Sequence, residues 1–457
     1  MDVRKDVSPH GQWSSRWIYF LAATGSAVGL GNIWKFPYIT GVYGGGAFVI
    51  VYLGCILLIG LPLLIAEAAI GRRARHSPAA SLMTIARAEG RRYPRAWGAV
   101  GWLAALAGFL ILSFYTVIAG WVVYYTLAAL EGAFTQRSAV EITALFESHV
   151  ARPWVVLAYS TGFLVATMVC VGLGVRRGLE ASLRFSMPVL ILLLVVLVIY
   201  ATIEGDFAAG LQFLFRPDFS ALTWPVVLVA MGHAFFSLGL GAGTMIIYGA
   251  YLPGTSSLPR TALEISLADT AVAMLAGLAL FPIVFAHGLE PGVGPQLVFV
   301  TVPIAFGQMP GGVLIGTAFF LMLALAAFTS AISTIEPLMT TVVERFGCSR
   351  RQAACWLGAA VWLVSLGTVG SFSWWSEPLL FNRTAFELID FLASNLMLPA
   401  GGLLVALFVG WLTVGDGWRG ALLERSELSF RAWYWVLRYI TPLGIAAVLI
   451  AALTGRT

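Results

Sequence analysis

The sequence predicts an all-α polytopic membrane protein, and three observations lead to this fold class. The 457 residues are 59% hydrophobic and only 11% charged, with a mean hydropathy of +0.88, whereas soluble domains carry roughly 25% charged residues. Apolar runs long enough to cross a hydrocarbon core of about 30 Å recur along the chain. Two of these runs, at residues 25–37 and 235–243, are interrupted by glycines and polar side chains.

The apolar runs predict eleven transmembrane helices, because each run supplies the roughly 20 residues that a span needs. The predicted spans are residues 17–41, 45–70, 97–128, 154–173, 181–203, 223–253, 261–287, 311–346, 352–370, 383–412 and 431–454. The first sixteen residues are polar and charged, so we expect no cleavable signal peptide. We expect four units: an N-terminal cytoplasmic segment at 1–16, a five-helix repeat at 17–203, an inverted five-helix repeat at 223–412, and an eleventh helix at 431–454.

The positions of Lys and Arg predict the orientation. With the N-terminus in the cytoplasm, the outer loops keep only Arg137, Arg152, Arg216 and Arg383. This imbalance follows the positive-inside rule and, after an odd number of spans, places the C-terminus outside. The pI near 9.1 therefore indicates the anionic surface of a lipid bilayer as a partner, and argues against nucleic acid.

The cysteines and histidines do not indicate catalysis. Cys55 and Cys170 lie inside predicted spans, and Cys348 and Cys355 lie at cytoplasmic span ends, so no disulfide is expected. The five histidines lack metal-ligand spacing, and the chain contains no GxSxG or P-loop motif. We therefore predict that the protein is not an enzyme.

The two interruptions are related to each other. Gly29-Leu30-Gly31 in the first span recurs as Gly239-Leu240-Gly241 in the sixth span, five helices later. An odd separation inverts the second copy, which is typical of inverted-repeat secondary transporters with a midplane substrate site between two broken helices. The alternative is that these glycines only allow close helix packing. Polar residues flank both copies, and backbone freed in the bilayer must line a cavity, which favours the transporter.

The ordered motifs resemble the neurotransmitter:sodium symporter family, and in particular its bacterial eleven-span members. The resemblance extends over nearly the whole chain through GSAVGLGN with IWKFPY, YGGGAFVIVY, GLPLLIAEAAIGR, FFSLGLGAG, TSAIS and ELIDFLASN. It implies a 5+5 inverted repeat with discontinuous helices 1 and 6. It also implies sodium-coupled symport of an amino acid by alternating access.

The resemblance implies two sodium sites. The first uses the carbonyl of Ala27 with the side chains of Asn32, Ser237 and Asp269, and the substrate carboxylate. The second uses the carbonyls of Gly25, Val28 and Ala326 with the hydroxyls of Thr329 and Ser330. The alternative for each hydroxyl is a hydrogen bond to its own helix.

Asp269 is a departure from chloride-requiring relatives, which carry neutral residues around this position. We hypothesise that this carboxylate supplies the charge that chloride would otherwise provide, so no chloride requirement is expected. His233 stands where relatives commonly have Gln. Two interpretations of it remain open: a hydrogen bond to Tyr52 or tuning of Asp269, and a satisfied polar residue without a coupling role.

The substrate site implied by the resemblance lies between the two breaks. Amides near Leu30 and Gly31, with the Tyr115 hydroxyl, would bind a carboxylate at the end of a half-helix. The full candidate set is Ala27, Leu30, Gly31, Ile111, Tyr115, Phe235, Phe236, Ser237, Gly239, Ala242, Ser330, Ala331 and Thr334. The set contains no acidic residue, and Ala242 is small. These features indicate a neutral, bulky hydrophobic or aromatic L-amino acid.

Gates are implied on both sides of this site. Outside, Lys35 and Asp390 match the family's Arg–Asp pair above a lid of Tyr115 and Phe236. Inside, Trp13, Tyr251 and Glu344 match the family pattern, but His10 replaces the expected Arg, for which Arg4 or Lys5 are possible substitutes.

Two alternatives to a coupled symporter remain. One is an uncoupled channel or a transporter-derived amino-acid sensor. The other is an intramembrane hydrolase that uses Asp269 and Asp390, although these acids are predicted to lie half a membrane apart. We expect a monomer or a weak dimer.

Overall fold

The structure is a computed structural model that describes residues 8–253, 257–289, 296–413, 416–423 and 426–454, without the side chains of Trp34 and Asp416. Within these ranges the chain is helical and forms no strand; isolated bridges join Gly45 to Pro217 and Leu380 to Arg383. The predicted all-α membrane fold is therefore confirmed.

The described helices are numbered in chain order. They are α1 (Arg16–Ala27), α2 (Phe36–Val42), α3 (Gly46–Ala74), α4 (Pro78–Ala88), α5 (Pro94–Leu130), α6 (Ala139–Val150), α7 (Pro153–Gly172), α8 (Val175–Glu204), α9 (Phe207–Phe215), α10 (Trp224–Ser237), α11 (Thr244–Ala250), α12 (Leu258–Ala286), α13 (Leu297–Gln308), α14 (Gly312–Phe346), α15 (Arg350–Ser371), α16 (Ala385–Leu412), α17 (Asp416–Leu422) and α18 (Glu427–Leu453). A π-helical segment, Gly31–Lys35, leads into α2.

Nine helices of the described chain are long and apolar enough to span a membrane, and each coincides with a predicted span. The first and sixth predicted spans are different, because each consists of two short helices, α1 with α2 and α10 with α11. The count of eleven spans and the division into repeats remain predictions.

Lipid-facing and buried surfaces follow from the side chains. Ile203, Leu314 and Leu443 are each more than 70% exposed on long helices, as expected where lipid replaces water. Inside, α5 and α14 form the most extensive contact between described helices, and α1 packs against α8, α12 and α14. These helices hold the interrupted pair at the centre of the bundle.

Close backbone contact fixes the second interrupted helix in place. A Cβ atom added to Gly71 of α3 would lie 1.7 Å from the carbonyl oxygen of Ile246 in α11. Only glycine allows the two backbones to approach this closely. Helix α11 is therefore packed backbone to backbone against α3.

Candidate functional site

The first interruption begins directly after α1. Val28 leaves the helical conformation, with φ −72° and ψ 93°, although its N–H still donates to the carbonyl of Thr24 at 2.7 Å. The next two backbone N–H groups donate to side chains and not to carbonyl oxygens of the preceding helical turn. The Gly29 N–H donates to Oδ1 of Asn32 and the Leu30 N–H donates to the Tyr115 hydroxyl, both at 3.4 Å. Backbone groups are thus freed in the middle of the bundle.

The second interruption separates α10 from α11 by six residues. Gly239, Gly241 and Gly243 all have positive φ, at 62°, 81° and 76°, a region that glycine occupies without steric cost. The Gly241 N–H donates to Oε1 of Glu67 at 2.8 Å, and Glu67 is fully buried. A carboxylate in α3 therefore satisfies backbone that the break leaves without a helical partner.

A central cavity of about 60 Å³ lies between the two interruptions. This is room for about four to six water molecules, since an ordered water needs about 10–15 Å³ by the same measure. The cavity is lined by Ser26, Ala27, Gly29, Leu30, Gly31, Ile111, Tyr115, Phe236, Ser237, Gly239, Ala242, Thr244, Ser330, Thr334 and Leu398. No Asp, Glu, Lys or Arg is among them.

Eleven of the thirteen predicted substrate residues line this cavity, and Phe235 and Ala331 do not. The Phe235 ring faces α16, where a Cβ on Gly402 would lie 2.5 Å from it. Sequence reasoning missed Ser26, Gly29, Thr244 and Leu398. Ser26 and Gly29 lie inside the recognised first motif, so their position between predicted residues could have identified them.

The residues predicted for the first sodium site converge on Asp269, which is fully buried. Its Oδ1 accepts from Nδ2 of Asn32 at 2.7 Å, and its Oδ2 accepts from the Ser237 hydroxyl at 2.9 Å and lies 3.5 Å from the Tyr52 hydroxyl. Side chains from α3, α10, α12 and the first interruption thus surround one carboxylate. Ala27 lies alongside, in the wall of the central cavity.

The residues predicted for the second sodium site also come together. The Ser330 hydroxyl lies 3.5, 3.3 and 3.4 Å from the carbonyl oxygens of Gly25, Ser26 and Val28. Normal O–H···O bonds are about 2.7–2.8 Å, so the Ser330 hydroxyl is not tightly bonded to any one of these carbonyl oxygens. The three carbonyl oxygens surround the hydroxyl at similar distances. The Thr329 hydroxyl donates to the Ala326 carbonyl at 3.1 Å within α14, which was the alternative considered for it.

His233 does not bond to Tyr52. Neither ring nitrogen has a hydrogen-bond partner in the described part of the chain, and the ring lies 5.9 Å from Phe36 and 5.5 Å from Tyr52 between centroids. It lines a vestibule of about 240 Å³ on the side predicted to face outward, hereafter the outer vestibule, together with Lys35, Phe236 and Asn395. Among the described residues His233 is therefore neither bonded to Tyr52 nor a satisfied polar residue, and tuning of Asp269 remains a hypothesis.

Phe236 separates this vestibule from the central cavity, because its ring lines both. The predicted outer pair above it is not formed: no ion pair between Lys35 and Asp390 occurs in the described chain. Lys35 Nζ lies 4.7 Å from the Phe236 ring centroid, and Asp390 accepts from the Ser394 hydroxyl at 2.7 Å. In this conformation Lys35 contacts the Phe236 ring and Asp390 contacts Ser394, and the two charged groups do not pair with each other.

The side that is predicted to face the cytoplasm is closed. His10 Nε2 lies 2.8 Å from Oε1 of Glu344, so the histidine itself takes the place of the expected Arg. Arg4 and Lys5 lie outside the described residues. Trp13 is 1% exposed and makes edge contacts with Tyr248 and Tyr251 at 5.2 and 5.7 Å between ring centroids.

A buried cluster behind this gate was missed by sequence reasoning. Glu336, fully buried in α14, accepts from the Tyr251 hydroxyl at 2.5 Å and pairs with Arg350 at 2.6 Å. Acidic residues within apolar spans are rare and paired, so Glu336 in the eighth predicted span was a usable signal. The predicted gate residue Tyr251 is thereby linked to α15.

A helical bundle with two helices broken around a buried cavity, and oxygen-rich sites beside it, defines a multi-pass membrane transporter. Comparison with known proteins agrees with this class. A family model described as "Sodium:neurotransmitter symporter family" matches residues 10–144 and 133–455. The chain therefore belongs to the sodium:neurotransmitter symporter family, and the predictions of that family and of a non-enzyme are confirmed.

Individual relatives cover nearly the whole chain. A Bacillus subtilis protein described as a sodium-dependent transporter, YhdH, is 37% identical over 96% of this chain and 97% of its own. A sodium-dependent transporter of Methanocaldococcus jannaschii is 31% identical over 96% of this chain and 89% of its own. The chain in a crystal structure of MhsT in complex with L-phenylalanine is 41% identical in sequence and superimposes with a TM-score of 0.89. The match covers 97% of this chain and 99% of the MhsT chain.

Proposed function

We propose that this symporter couples the uptake of a neutral, bulky hydrophobic or aromatic L-amino acid to sodium. The observation that carries the proposal is the central cavity, which is bounded by both helix interruptions and by the oxygens around Asp269 and Ser330. Amino acid and sodium would occupy adjacent parts of one site, which is the arrangement that coupling requires.

The cavity chemistry supports a zwitterion with an uncharged side chain. The Leu30 amide and the Tyr115 hydroxyl are positioned to bind the carboxylate, which would replace the long contact of 3.4 Å between them. Carbonyls at the second break would bind the ammonium group. Ile111, Ala242 and Leu398 offer apolar contacts, and 41%-identical MhsT was crystallised with L-phenylalanine.

A bulky side chain needs more than the present 60 Å³. Rotation of the Phe236 ring would connect the central cavity with the outer vestibule of about 240 Å³. We propose that substrate enters by this route while the cytoplasmic gate is closed. Return of Phe236, and approach of Lys35 to Asp390, would then seal the outer side before the inner contacts open.

Two sodium ions are proposed as co-transported substrates, without a chloride requirement. An ion beside Ser330 would link the first interruption to α14, because its ligands come from both. An ion beside Asp269 would contact Asn32, Ser237 and the substrate carboxylate. The fixed charge of Asp269 would take the electrostatic role of chloride. These ligand sets contain mostly neutral oxygens, which suit a monovalent ion better than a divalent one.

We place the protein in a bacterial inner membrane, with the N-terminus in the cytoplasm and the C-terminus outside, as a monomer or a weak dimer. The distribution of arginines supports this orientation.

Proteoliposome uptake of L-phenylalanine tests the proposed function. An inward sodium gradient should drive accumulation above equilibrium, and a potassium gradient or an ionophore that dissipates the sodium gradient should abolish it. A channel would only equilibrate the substrate, and a sensor would not transport it. Either of these results would reject the proposal.

A further inference from the structure

An apolar cavity that shares no lining residue with the transport site lies on the outside of the bundle. It is a groove of about 670 Å³ between α7 and α15. Its walls are almost entirely apolar and include Leu164, Val165, Met168 and Val169 from α7. Val165 and Val169 are 54% and 58% exposed, so the groove opens toward lipid.

Along α7 the groove is about as long as one membrane leaflet is thick. From Thr161 to Leu173 it follows α7 and its C-terminal cap over twelve residue steps, which is about 18 Å at the helical rise, close to half of the roughly 30 Å core. The end of the groove at Thr161 is closed by a hydrogen bond of 2.9 Å from Trp362 Nε1 to the Thr161 hydroxyl. Since that bond satisfies both polar groups, the closed end presents little but hydrocarbon.

The open end of the groove is basic. Arg351 lines it and is exposed, and the exposed Arg176 and Arg177 lie three and four residues beyond Leu173 in the chain. In the described part of the chain, none of these arginines has an acidic partner within 4 Å. Exposed Trp356 follows the groove residue Cys355 in α15, and tryptophan is common at the level of lipid headgroups.

We propose that this groove binds one anionic phospholipid of the cytoplasmic leaflet, such as a phosphatidylglycerol. One acyl chain lies in the groove along α7 and α15, and Arg351 with the arginines after Leu173 binds the phosphate. Charge complementarity with the anionic leaflet and the match between groove length and leaflet thickness select this occupant. The transport site is not involved.

The test uses the full chain in nanodiscs of phosphatidylcholine that contain a minority of phosphatidylglycerol, with native mass spectrometry to count retained lipids. Wild-type protein should retain one phosphatidylglycerol. Arg351→Gln should weaken retention about fivefold, the size expected for one basic residue at an anionic surface. Ala359→Phe should abolish it by filling the groove, which Ala359 lines as an exposed residue.

Two matched controls should retain the lipid as wild type does. Arg87→Gln removes an exposed charge from α4, and Ala158→Phe adds the same bulk to the exposed face of α7 outside the groove. Cys355 provides a second readout, because it is exposed and lines the groove. In a Cys348→Ser background, phosphatidylglycerol should slow its labelling by maleimide, and Ala359→Phe should remove that effect.

Three results would overturn the proposal. Equal retention of phosphatidylcholine and phosphatidylglycerol, unchanged in Arg351→Gln, would exclude recognition of an anionic headgroup. Retention by Ala359→Phe at the wild-type level would exclude the groove. A dimer that Ala359→Phe converts to monomer, without bound lipid, would make this face a contact between two copies.

Discussion

Replacing Ser330 by alanine should weaken sodium binding without unfolding the protein. The hydroxyl lies within 3.3–3.5 Å of three carbonyl oxygens, two in the last turn of α1 and one at the start of the first interruption, and connects them to α14. A hydrogen bond or ligand contact to a charged group contributes about 1.5–3 kcal/mol. The apparent dissociation constant for sodium should therefore rise about 10- to 150-fold.

The assay is the sodium dependence of L-phenylalanine binding to purified Ser330→Ala, with potassium replacing sodium to hold ionic strength constant. Ser365→Ala is the matched control, because within the part of the chain that the structure describes this buried hydroxyl in α15 bonds only to the Trp362 carbonyl of its own helix. The control should bind sodium as wild type does. Wild-type sodium affinity in Ser330→Ala would show that the oxygen cluster is structural and would refute the proposed site.

Three further predictions concern the contacts around the central cavity and those around Glu344. Asp269→Asn should make uptake depend on chloride or abolish it, as measured in chloride against gluconate buffer; undiminished uptake in gluconate would contradict the charge-replacement role. Ala242→Phe should cost phenylalanine about 1–3 kcal/mol of binding free energy through overpacking while glycine or alanine binding persists, and equal losses for all amino acids would contradict the side-chain assignment. The hydrogen bond to Glu344 raises the pKa of His76 above its ordinary 6.5, so this contact stabilises the fold below that pH and loses its effect as pH rises through the raised value. The difference in unfolding free energy between wild type and His76→Gln should be under about 1 kcal/mol, because the histidine is half-exposed, and should vanish at alkaline pH; a difference that grows with pH would contradict the sign.

The interrupted helices were predictable because their signal is local and its energetic cost is large. Glycines and polar residues such as Asn32 within an apolar run leave few structural solutions in lipid. The residues around Asp269 and Ser330 were assigned through the resemblance, and the structure brings both sets together. Their roles as sodium ligands remain predictions.

The pairing of individual charged side chains was less predictable, because it depends on the geometry of side chains from segments that are distant in the sequence. His10 contacts Glu344, although the sequence left open whether Arg4 or Lys5 takes that role, and Lys35 lies over Phe236 and does not pair with Asp390. Rotamer and conformational state decide such contacts. The orientation of the Phe235 ring away from the cavity has the same cause.

The central claim is that both interruptions hold one amino acid and its sodium ions together, and reciprocal binding tests it most directly. Sodium should increase the affinity for L-phenylalanine, and L-phenylalanine should increase the affinity for sodium by the same factor, as linkage requires. Equilibrium titrations of each ligand at fixed concentrations of the other measure both factors. Identical phenylalanine affinity in sodium and potassium would contradict the account.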